Sequence, residues 1–313
     1  MKTEKIYFSD LLDEKLYKKA LLKDLLSKGA YLNTDAKKKI DGYHNAAKRI
    51  FKALDDNGVS YDFIHNTHDI WVRDFMPVKT RNEKYISFRY NPSYLEEYPL
   101  MKTDFEDEIS NQFTELDIFY SEINLDGGNI VFSQSRNKVI ISDRVFLENV
   151  ELYSKDTSAN NARIVRELEE CLEARIIIIP SVKSDPTGHA DGMVRFIDEN
   201  TVVGNQYNTD SKNVLEQRIK TIVNNHGIEV IDFPCEFENA IYLNKSKKAT
   251  RGCYINYLET DKYIFMPEFG AKKADQKARK TADKCFKEKT IVAENINEIA
   301  AEGGVLNCIS WEL

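Results

Sequence analysis

The sequence predicts an α/β fold in which one small unit of strand, strand, helix and strand repeats around an axis. Three stretches of the 313-residue chain show this order of elements, and they begin at residues 129, 193 and 254. The starts are 64 and 61 residues apart, a spacing that indicates an internal repeat. A unit of this size cannot bury its apolar face alone, so we expect a pseudo-symmetric α/β propeller with a central channel. One ordinary α/β sheet is the alternative.

Each of the three complete units combines β-rich runs with a stretch that has the apolar spacing of a helix. The predicted elements are strands 129–133 and 138–142, helix 158–172 and strand 175–179; strands 193–197 and 201–206, helix 212–225 and strand 229–233; strands 254–258 and 262–266, helix 272–286 and strand 290–292. No linker-rich segment separates the units. We therefore expect a single domain over residues 1–313.

Two incomplete units bring the predicted number of blades to five. Their elements are a strand at 85–90 and a helix at 103–116 in one, and helices at 11–26 and 35–54 and a strand at 61–65 in the other. The second of these units begins near Val305 and is completed by the helical amino-terminal part, residues 1–58. It would therefore join the two ends of the chain and close the ring.

Composition and charge exclude several classes of protein. With 42% hydrophobic residues, the chain can build a large core and is not a disordered protein. A net charge of -7 argues against nucleic acid as a partner and suits a small cationic ligand. The start of the chain lacks a signal-peptide pattern, and the longest aliphatic run, 176–179, is too short to span a bilayer. We expect a cytoplasmic protein without a membrane segment.

The five cysteines are unevenly spaced, and none belongs to a Cys-x-x-Cys pair. They are Cys171, Cys235, Cys253, Cys285 and Cys308. An odd number with this spacing predicts free thiols, with neither a disulfide framework nor a structural zinc site. Cys308 differs from the others because it follows two glycines and an asparagine, whereas a buried apolar role is expected for Cys171, Cys235 and Cys285.

A cluster of polar residues and glycines stands at or just before the first strand of each unit. The clusters are Trp71-Val72-Arg73-Asp74, Asp126-Gly127-Gly128-Asn129, Gly188-His189-Ala190-Asp191, Tyr254-Ile255-Asn256 and Gly303-Gly304-Val305-Leu306-Asn307-Cys308. If the units surround an axis, the clusters meet at its hub. There they would bring together a thiol, an imidazole and several carboxylates, which suits nucleophilic catalysis with a general acid and base.

The third and fifth clusters carry the groups that would react. His189 and Asp191 are two residues apart, so in an extended strand both would face the same side. The glycines beside them favour a functional role over that of a buried structural histidine. Cys308 could be a small buried apolar residue, but its place in its unit favours a nucleophile.

The first two clusters have structural alternatives. Asp74 and Asp126 could serve as turn or cap residues, because Asp before glycines is a common turn signal. Arg73 is equally suited to pairing with a buried carboxylate and to contacting a ligand. Trp71 would form an apolar or cation-binding wall.

In this order and spacing, the five clusters resemble those of the agmatine deiminase and Porphyromonas-type peptidylarginine deiminase family, within the guanidino-group-modifying (pentein) enzymes. The resemblance covers about residues 60 to 313. It implies a five-bladed α/β propeller. By position it also implies a nucleophile at Cys308, a general acid and base at His189, and two carboxylates that grip the guanidinium, Asp74 and Asp191.

The same resemblance implies further contacts around the substrate. Trp71 matches the aromatic residue beside the substrate, and Asp126 matches an acidic position next to the pocket. Asn256 resembles the asparagine that follows a tyrosine in the family pattern.

The chain departs from the family pattern in two places. Members usually carry Gly-Gly-Gly and a His before the catalytic Cys, where this chain has Val305, Leu306 and Asn307. They usually carry Thr or Ser and then Gly after the Arg-Asp pair, where it has Phe75 and Met76. These departures leave the nucleophile and the acid in place and bear on which guanidine is bound.

The implied chemistry is hydrolysis of a carbon–nitrogen bond of a guanidinium. The Cys308 thiolate would attack the central carbon, and His189 would protonate the departing ammonia and then activate water to hydrolyse the thiouronium. No metal or organic cofactor is required, and a metal site is disfavoured because only one of the five histidines lies in the clusters. An amidinotransferase and a non-catalytic guanidinium-binding module are the alternatives.

The expected substrate is agmatine, converted to N-carbamoylputrescine and ammonia in putrescine biosynthesis. Arginine or peptidyl-arginine is the alternative, because Arg89 stands between the first two clusters and would bind a carboxylate; its other interpretation is a solvated strand residue. Glu96, Glu97 and Asp104 nearby favour an ammonium instead. The predicted partner is therefore a small guanidine, and a homodimer is left open.

Overall fold

The computed structural model describes residues 5–18, 34–207, 210–235 and 250–313. Within these ranges, fifteen strands form five sheets of three strands each. The strands are β1 Ile6–Ser9, β2 Tyr61–Ile64, β3 Val78–Lys79, β4 Tyr85–Arg89, β5 Ile118–Asn124, β6 Val131–Phe132, β7 Lys138–Ser142, β8 Arg175–Ile179, β9 Val194–Phe196, β10 Thr201–Tyr207, β11 Glu229–Cys235, β12 Leu258–Glu259, β13 Tyr263–Glu268, β14 Thr290–Asn295 and β15 Trp311–Glu312. Five small sheets replace the single sheet of the alternative interpretation, and the predicted α/β fold is confirmed.

All five sheets share one order and one set of directions. In each sheet the first strand pairs antiparallel with the middle strand, and the middle strand pairs parallel with the third. The sheets are β3-β4-β5, β6-β7-β8, β9-β10-β11, β12-β13-β14 and β15-β1-β2. A parallel pair needs a long crossover between its strands, and a helix supplies it in four of the five sheets.

The four long helices are amphipathic and cover the sheets. They are α1 Thr34–Asp56, α2 Thr157–Leu172, α3 Asp210–Asn225 and α4 Lys272–Cys285. In α2, Ile164, Leu168 and Leu172 recur every four residues and are buried, as one face of a helix requires. The helix begins after Asp156, whose side chain accepts a hydrogen bond from the first turn, and ends at Glu173 in the left-handed conformation.

Short helical turns complete the described elements. The α-helical turns are Val72–Phe75, Arg144–Glu148 and Asn297–Ala300; the 3-10 turns are Asp10–Leu12, Ser93–Leu95, Pro99–Met101, Ser110–Gln112, Gly127–Asn129 and Ala190–Gly192; and Phe105–Ile109 is a π-helical turn. Residues 14–18 are also helical. No described helix is long and apolar enough to cross a bilayer.

The three complete units are confirmed, with one systematic difference. Their first strands are shorter than predicted, because strands predicted at 129–133, 193–197 and 254–258 are found only at β6, β9 and β12. The residues before these strands form turns instead, and those turns contain the polar clusters.

The helix predicted at 103–116 is wrong. A π-helical turn is followed directly by a 3-10 turn, and the chain then enters β5. Phe105, Ile109 and Phe113 all remain buried in one hydrophobic cluster with Trp311. A spacing of four residues also suits one face of an α-helix, so this pattern could not reveal the wider turn.

The closing unit is confirmed. β15 pairs antiparallel with β1, and β1 pairs parallel with β2, so the two ends of the chain share a sheet. The helix predicted at 35–54 is α1, whereas half of the helix predicted at 11–26, residues 19–26, lies outside the described residues.

Four hydrophobic clusters link the sheets in sequence. One joins the β15-β1-β2 and β3-β4-β5 units, the second joins β3-β4-β5 and β6-β7-β8, and the third joins β6-β7-β8 and β9-β10-β11. The largest joins β9-β10-β11, β12-β13-β14 and β15-β1-β2. The apolar contacts therefore run round a closed series of five units, as the propeller prediction requires.

Candidate active site

The five polar clusters occupy equivalent places in the five units. Each lies in a turn directly before the first strand of its sheet, that is before β3, β6, β9, β12 and β15. His189 itself has an extended backbone, but the next three residues form a 3-10 turn. The expectation that His189 and Asp191 share one face of a strand is therefore wrong, although both side chains reach the same cavity.

A cavity of about 170 Å³ lies where the clusters meet. Six of the predicted site residues line it, namely Trp71, Asp74, His189, Asp191, Asn256 and Cys308. Asp126 lies behind His189 and contacts its ring. Arg89 is exposed at the end of β4 and is absent from the cavity lining, so its predicted substrate contact gains no support.

Two carboxylates hold the His189 imidazole. Its Nε2 lies 2.7 Å from Asp126 Oδ2, and its Nδ1 lies 3.6 Å from Asp74 Oδ1. The Tyr94 hydroxyl donates a hydrogen bond of 2.7 Å to the same oxygen of Asp126. Burial alone would lower the pKa of His189, but the charge of Asp74, the hydrogen bond to Asp126 and the charges of Asp126 and Asp191 raise it to about 10. These neighbours therefore favour the cationic form of the ring.

Two glycines lie directly against side chains of the site. A Cβ atom at Gly128 would lie 2.6 Å from Asp74 Oδ1 and 2.7 Å from His189 Nδ1, so a side chain there would displace both groups. The Gly128 amide instead donates to Asp74 Oδ1 at 3.1 Å. A Cβ atom at Gly304 would lie 2.2 Å from the Trp71 ring, which packs directly against that backbone.

Amide side chains position Asp191 beside the thiol. Asp191 Oδ2 accepts hydrogen bonds from Asn256 Nδ2 at 2.9 Å and from Asn307 Nδ2 at 2.7 Å. The Cys308 thiol lies 3.4 Å from Asn256 Oδ1 and 3.9 Å from Asp191 Oδ2. Asn307, one of the departures from the family pattern, therefore orients a carboxylate of the site.

Carboxylates outnumber cationic side chains around the thiol. Burial and the charges of Asp191 and Asp74 raise the pKa of the Cys308 thiol well above its usual value. Burial raises the pKa of Asp74 to about 8, with Asp126, Asp191 and Asp69 adding to the rise and His189 opposing it. A cation bound between Asp74 and Asp191 would reverse both effects, because it favours thiolate and carboxylate.

Arg73 has the structural role that the sequence left open. Its guanidinium lies 2.6 and 2.7 Å from the two carboxylate oxygens of Glu312 and donates to the Asn307 carbonyl at 3.2 Å. Its backbone amide donates to the Cys308 carbonyl at 3.1 Å. Arg73 therefore ties the first cluster to the segment that carries Cys308.

Two residues of the cavity were missed by the sequence interpretation. Tyr94 donates a hydrogen bond to Asp126. The feature of the sequence that could have pointed to it is its position in the polar segment after a strand. Asp69 is buried in the cavity wall and stands two residues before Trp71. Its Oδ1 accepts the Trp71 amide at 2.9 Å, whereas its Oδ2 has no partner within the described part of the chain. Burial raises the pKa of Asp69 to about 7.

Metal binding gains no geometric support. Across residues 5–18, 34–207, 210–235 and 250–313, no three His, Cys, Asp or Glu side chains are arranged to hold a metal ion.

Five repeated sheets, with a half-buried Cys and a buried His and carboxylates at their hub, define a class of protein, the enzymes with the α/β-propeller fold. The chain belongs to one family of this class, because the model of the Porphyromonas-type peptidyl-arginine deiminases matches residues 33–313. As a member of that family, the protein is a hydrolase that acts on carbon–nitrogen bonds of linear amidines.

Solved structures with this fold extend the comparison. Agmatine deiminase from C. jejuni is 18% identical, with 99% of this chain and 93% of that chain covered and a TM-score of 0.64. Agmatine deiminase from Enterococcus faecalis is 15% identical, with 99% and 93% covered and a TM-score of 0.63. DDAH from Pseudomonas aeruginosa, in complex with citrulline, is 10% identical, with 87% and 89% covered and a TM-score of 0.51. The comparison with curated proteins finds no match.

Proposed function

We propose that this protein hydrolyses agmatine to N-carbamoylputrescine and ammonia, with Cys308 as the nucleophile. The observation that carries the proposal is the charge of the cavity. Among the described residues that line it are five acids and no lysine or arginine; the acids are Asp69, Asp74, Asp185, Asp191 and Glu302. A cavity of this kind suits a ligand that is cationic at both ends, as agmatine is, and disfavours the carboxylate of arginine.

The guanidinium end would lie between Asp74 and Asp191. A guanidinium is planar and carries N–H donors that match the two oxygens of a carboxylate. Asp191 Oδ2 lies 3.9 Å from the Cys308 sulfur, so a guanidinium held by Asp191 has its carbon near the nucleophile. The Trp71 ring, which lines the same cavity, supplies an apolar and cation-binding wall.

The bound cation would help to form the thiolate. In the empty site the neighbouring carboxylates raise the pKa of Cys308, so the thiol keeps its proton. A guanidinium placed between the carboxylates and the sulfur lowers that pKa and makes attack on its carbon favourable. The nucleophile is therefore activated only when substrate is present.

His189 would move protons during the reaction. Nε2 is engaged by Asp126, so Nδ1 is the ring nitrogen that faces Asp74 and the guanidinium site. The thiol proton leaves to solvent when the cation binds, the sulfur–carbon bond then forms, and His189 gives a proton to one nitrogen, which leaves as ammonia. The neutral imidazole takes a proton from water and the hydroxide attacks the thiouronium carbon. The sulfur–carbon bond breaks, the hydroxyl proton of the adduct returns to the sulfur, and the ureido product is released.

The distal ammonium of agmatine would pair with Asp69. The free Oδ2 of this buried carboxylate is an acceptor without a donor in the described structure. A primary ammonium brings up to three donors and a positive charge, which stabilises the ionised form of Asp69.

The test compares ammonia and ureido-product release from agmatine, free arginine and a peptide ending in arginine. We expect turnover of agmatine alone, and no turnover by Cys308→Ala. The matched control is Cys285→Ala, a half-buried cysteine at the end of α4 and away from the cavity, which should keep the parent rate. Preferred turnover of either arginine substrate would contradict the agmatine assignment, and full activity of Cys308→Ala would contradict the nucleophile.

A further inference from the structure

A second cavity of about 270 Å³ lies farther along the same hub. Residues from the first strand of every sheet line it, namely Val78, Val131, Phe196, Glu259 and Trp311. The active-site cavity is instead lined by the turns that precede these strands. Asp191 lines both cavities and therefore lies between them.

Two arginines in this second cavity lack a carboxylate partner. Arg136 donates one hydrogen bond to the Lys79 carbonyl at 2.6 Å, and Arg195 donates one to the Tyr257 carbonyl at 3.3 Å. Within the described residues, neither guanidinium has an Asp or Glu oxygen within 4.0 Å. A guanidinium has five N–H donors, so most of the donors of both side chains remain available.

Aromatic rings hold both guanidinium groups in place. Arg136 lies over Phe132 and Arg195 over Tyr257, each with its guanidinium carbon 4.7 Å from the ring centroid. Stacking of this kind fixes the plane of the group without using its N–H donors. The two side chains are therefore ordered before any ligand arrives.

The acids of the second cavity are already engaged. Glu312 pairs with Arg73 at 2.6 Å, and Glu259 pairs with Lys289 at 2.6 Å. Asp191 accepts from two amides in the active site. The charge of Glu312 acts on both arginines, and the charges of Glu259 and Asp191 also act on Arg195, but none of these carboxylates pairs directly with either guanidinium.

We infer that this cavity binds a small oxyanion with two negative charges, of the size of inorganic phosphate, between Arg136 and Arg195. Arginine pairs with the oxygens of phosphate in a two-point geometry, and the stacked rings pre-organise that geometry.

The test is calorimetric titration of the full chain with inorganic phosphate, in sodium chloride of matched ionic strength. We expect saturable binding that weakens by about tenfold or more in Arg136→Gln and in Arg195→Gln, because a charge-assisted hydrogen bond is lost. The control is Arg81→Gln, an exposed arginine outside the cavity, which should bind like the parent. Circular dichroism of each variant checks that it is folded.

A third variant moves the affinity in the opposite direction. Glu312→Gln frees the Arg73 guanidinium from its carboxylate partner and should tighten phosphate binding. Absence of saturable binding by the parent, or the same loss in Arg81→Gln as in Arg136→Gln, would overturn the inference. The measurement uses no guanidine substrate, so its outcome is independent of the proposed deimination.

Discussion

Three carboxylates, Asp74, Asp126 and Asp191, surround one imidazole and one thiol at the hub. Asp126 is satisfied by His189 and Tyr94, and Asp191 by two side-chain amides. Asp74 has one amide donor and a ring nitrogen at 3.6 Å. It is therefore the residue whose charge depends most on whether a cation is bound.

Substrate binding should remove a proton from Asp74. Its pKa of about 8 keeps it mostly protonated at pH 7 in the empty site, and a bound guanidinium stabilises the carboxylate. Below pH 8 the free enzyme therefore holds a proton on Asp74 that the complex lacks, and below pH 7 it holds a second one on Asp69. Agmatine binding to the unreactive Cys308→Ala variant should weaken by up to about tenfold as the pH falls from 8 to 7, and more steeply from 7 to 6.

Calorimetry at pH 6, 7 and 8 measures this dependence. The control is Asp74→Asn in the same Cys308→Ala background, in which binding should be weaker and should lose most of its dependence between pH 8 and 7, while the part due to Asp69 remains below pH 7. An agmatine affinity that stays constant from pH 6 to 8 in the Cys308→Ala variant would contradict the assignment of Asp74.

At the scale of the element, short turns rather than strands present the reactive groups. The turn Gly127–Asn129 packs against the helical turn Val72–Phe75, and it places a backbone amide on Asp74. A turn curves the chain so that consecutive residues point to different sides. Some side chains of one cluster can therefore line the site while others form hydrogen bonds in the core. The Asn129 side chain shows this, because its Oδ1 accepts the amides of Ser142 and Ala190.

Gly128→Ala should disable the site without unfolding the chain. The added methyl would lie 2.6 Å from Asp74 Oδ1 and 2.7 Å from His189 Nδ1, so both groups must move. Misplacement of this size costs about 100-fold in kcat/KM. The control is Gly42→Ala in α1, where the added Cβ lies 3.4 Å from Glu298 and the helix gains about 0.5–1 kcal/mol.

Rates of agmatine hydrolysis and urea unfolding curves for both variants check this prediction. Equal activity of Gly128→Ala and the parent would show that the turn tolerates a side chain and that the site geometry is looser than the distances imply.

At the scale of the whole molecule, the closing sheet joins both ends of the chain and supports the nucleophile. Lys5 and Leu313 exchange backbone hydrogen bonds, and β15 begins three residues after Cys308. Trp311 is buried, packs against Tyr7 and Phe113, and donates its indole N–H to the Pro77 carbonyl at 2.7 Å. This one side chain therefore links the two ends of the chain to the β3-β4-β5 unit.

The two tryptophans of the chain should have opposite roles. Trp311→Ala should lower the free energy of unfolding by about 3–5 kcal/mol, because it leaves a large cavity and an unpaired carbonyl. Trp71→Ala should cost much less stability, because Trp71 is half-buried in the wall of the active site, and should mainly raise KM for agmatine. Urea denaturation and steady-state kinetics of both variants measure this, and similar losses of stability would contradict the ring-closing role of Trp311.

The sequence by itself determined the repeat and the identity of most site residues. Apolar spacing and β-rich runs are local properties, so they reveal units starting near 129, 193 and 254. The clusters recur at the same place in each unit, which singles out Cys308 and His189. A functional motif can be recognised from sequence when all of its residues lie within a few positions of one another in the chain.

Tertiary structure decided the features that depend on distant segments. Which ring nitrogen of His189 faces the cavity is set by Asp126, which is 63 residues away. Arg89 stands near the motifs in sequence, yet the direction of β4 leaves it exposed outside the cavity. The free oxygen of Asp69 also exists only once the units close around it. Such contacts are fixed by the packing of whole units, which no local pattern of residues encodes.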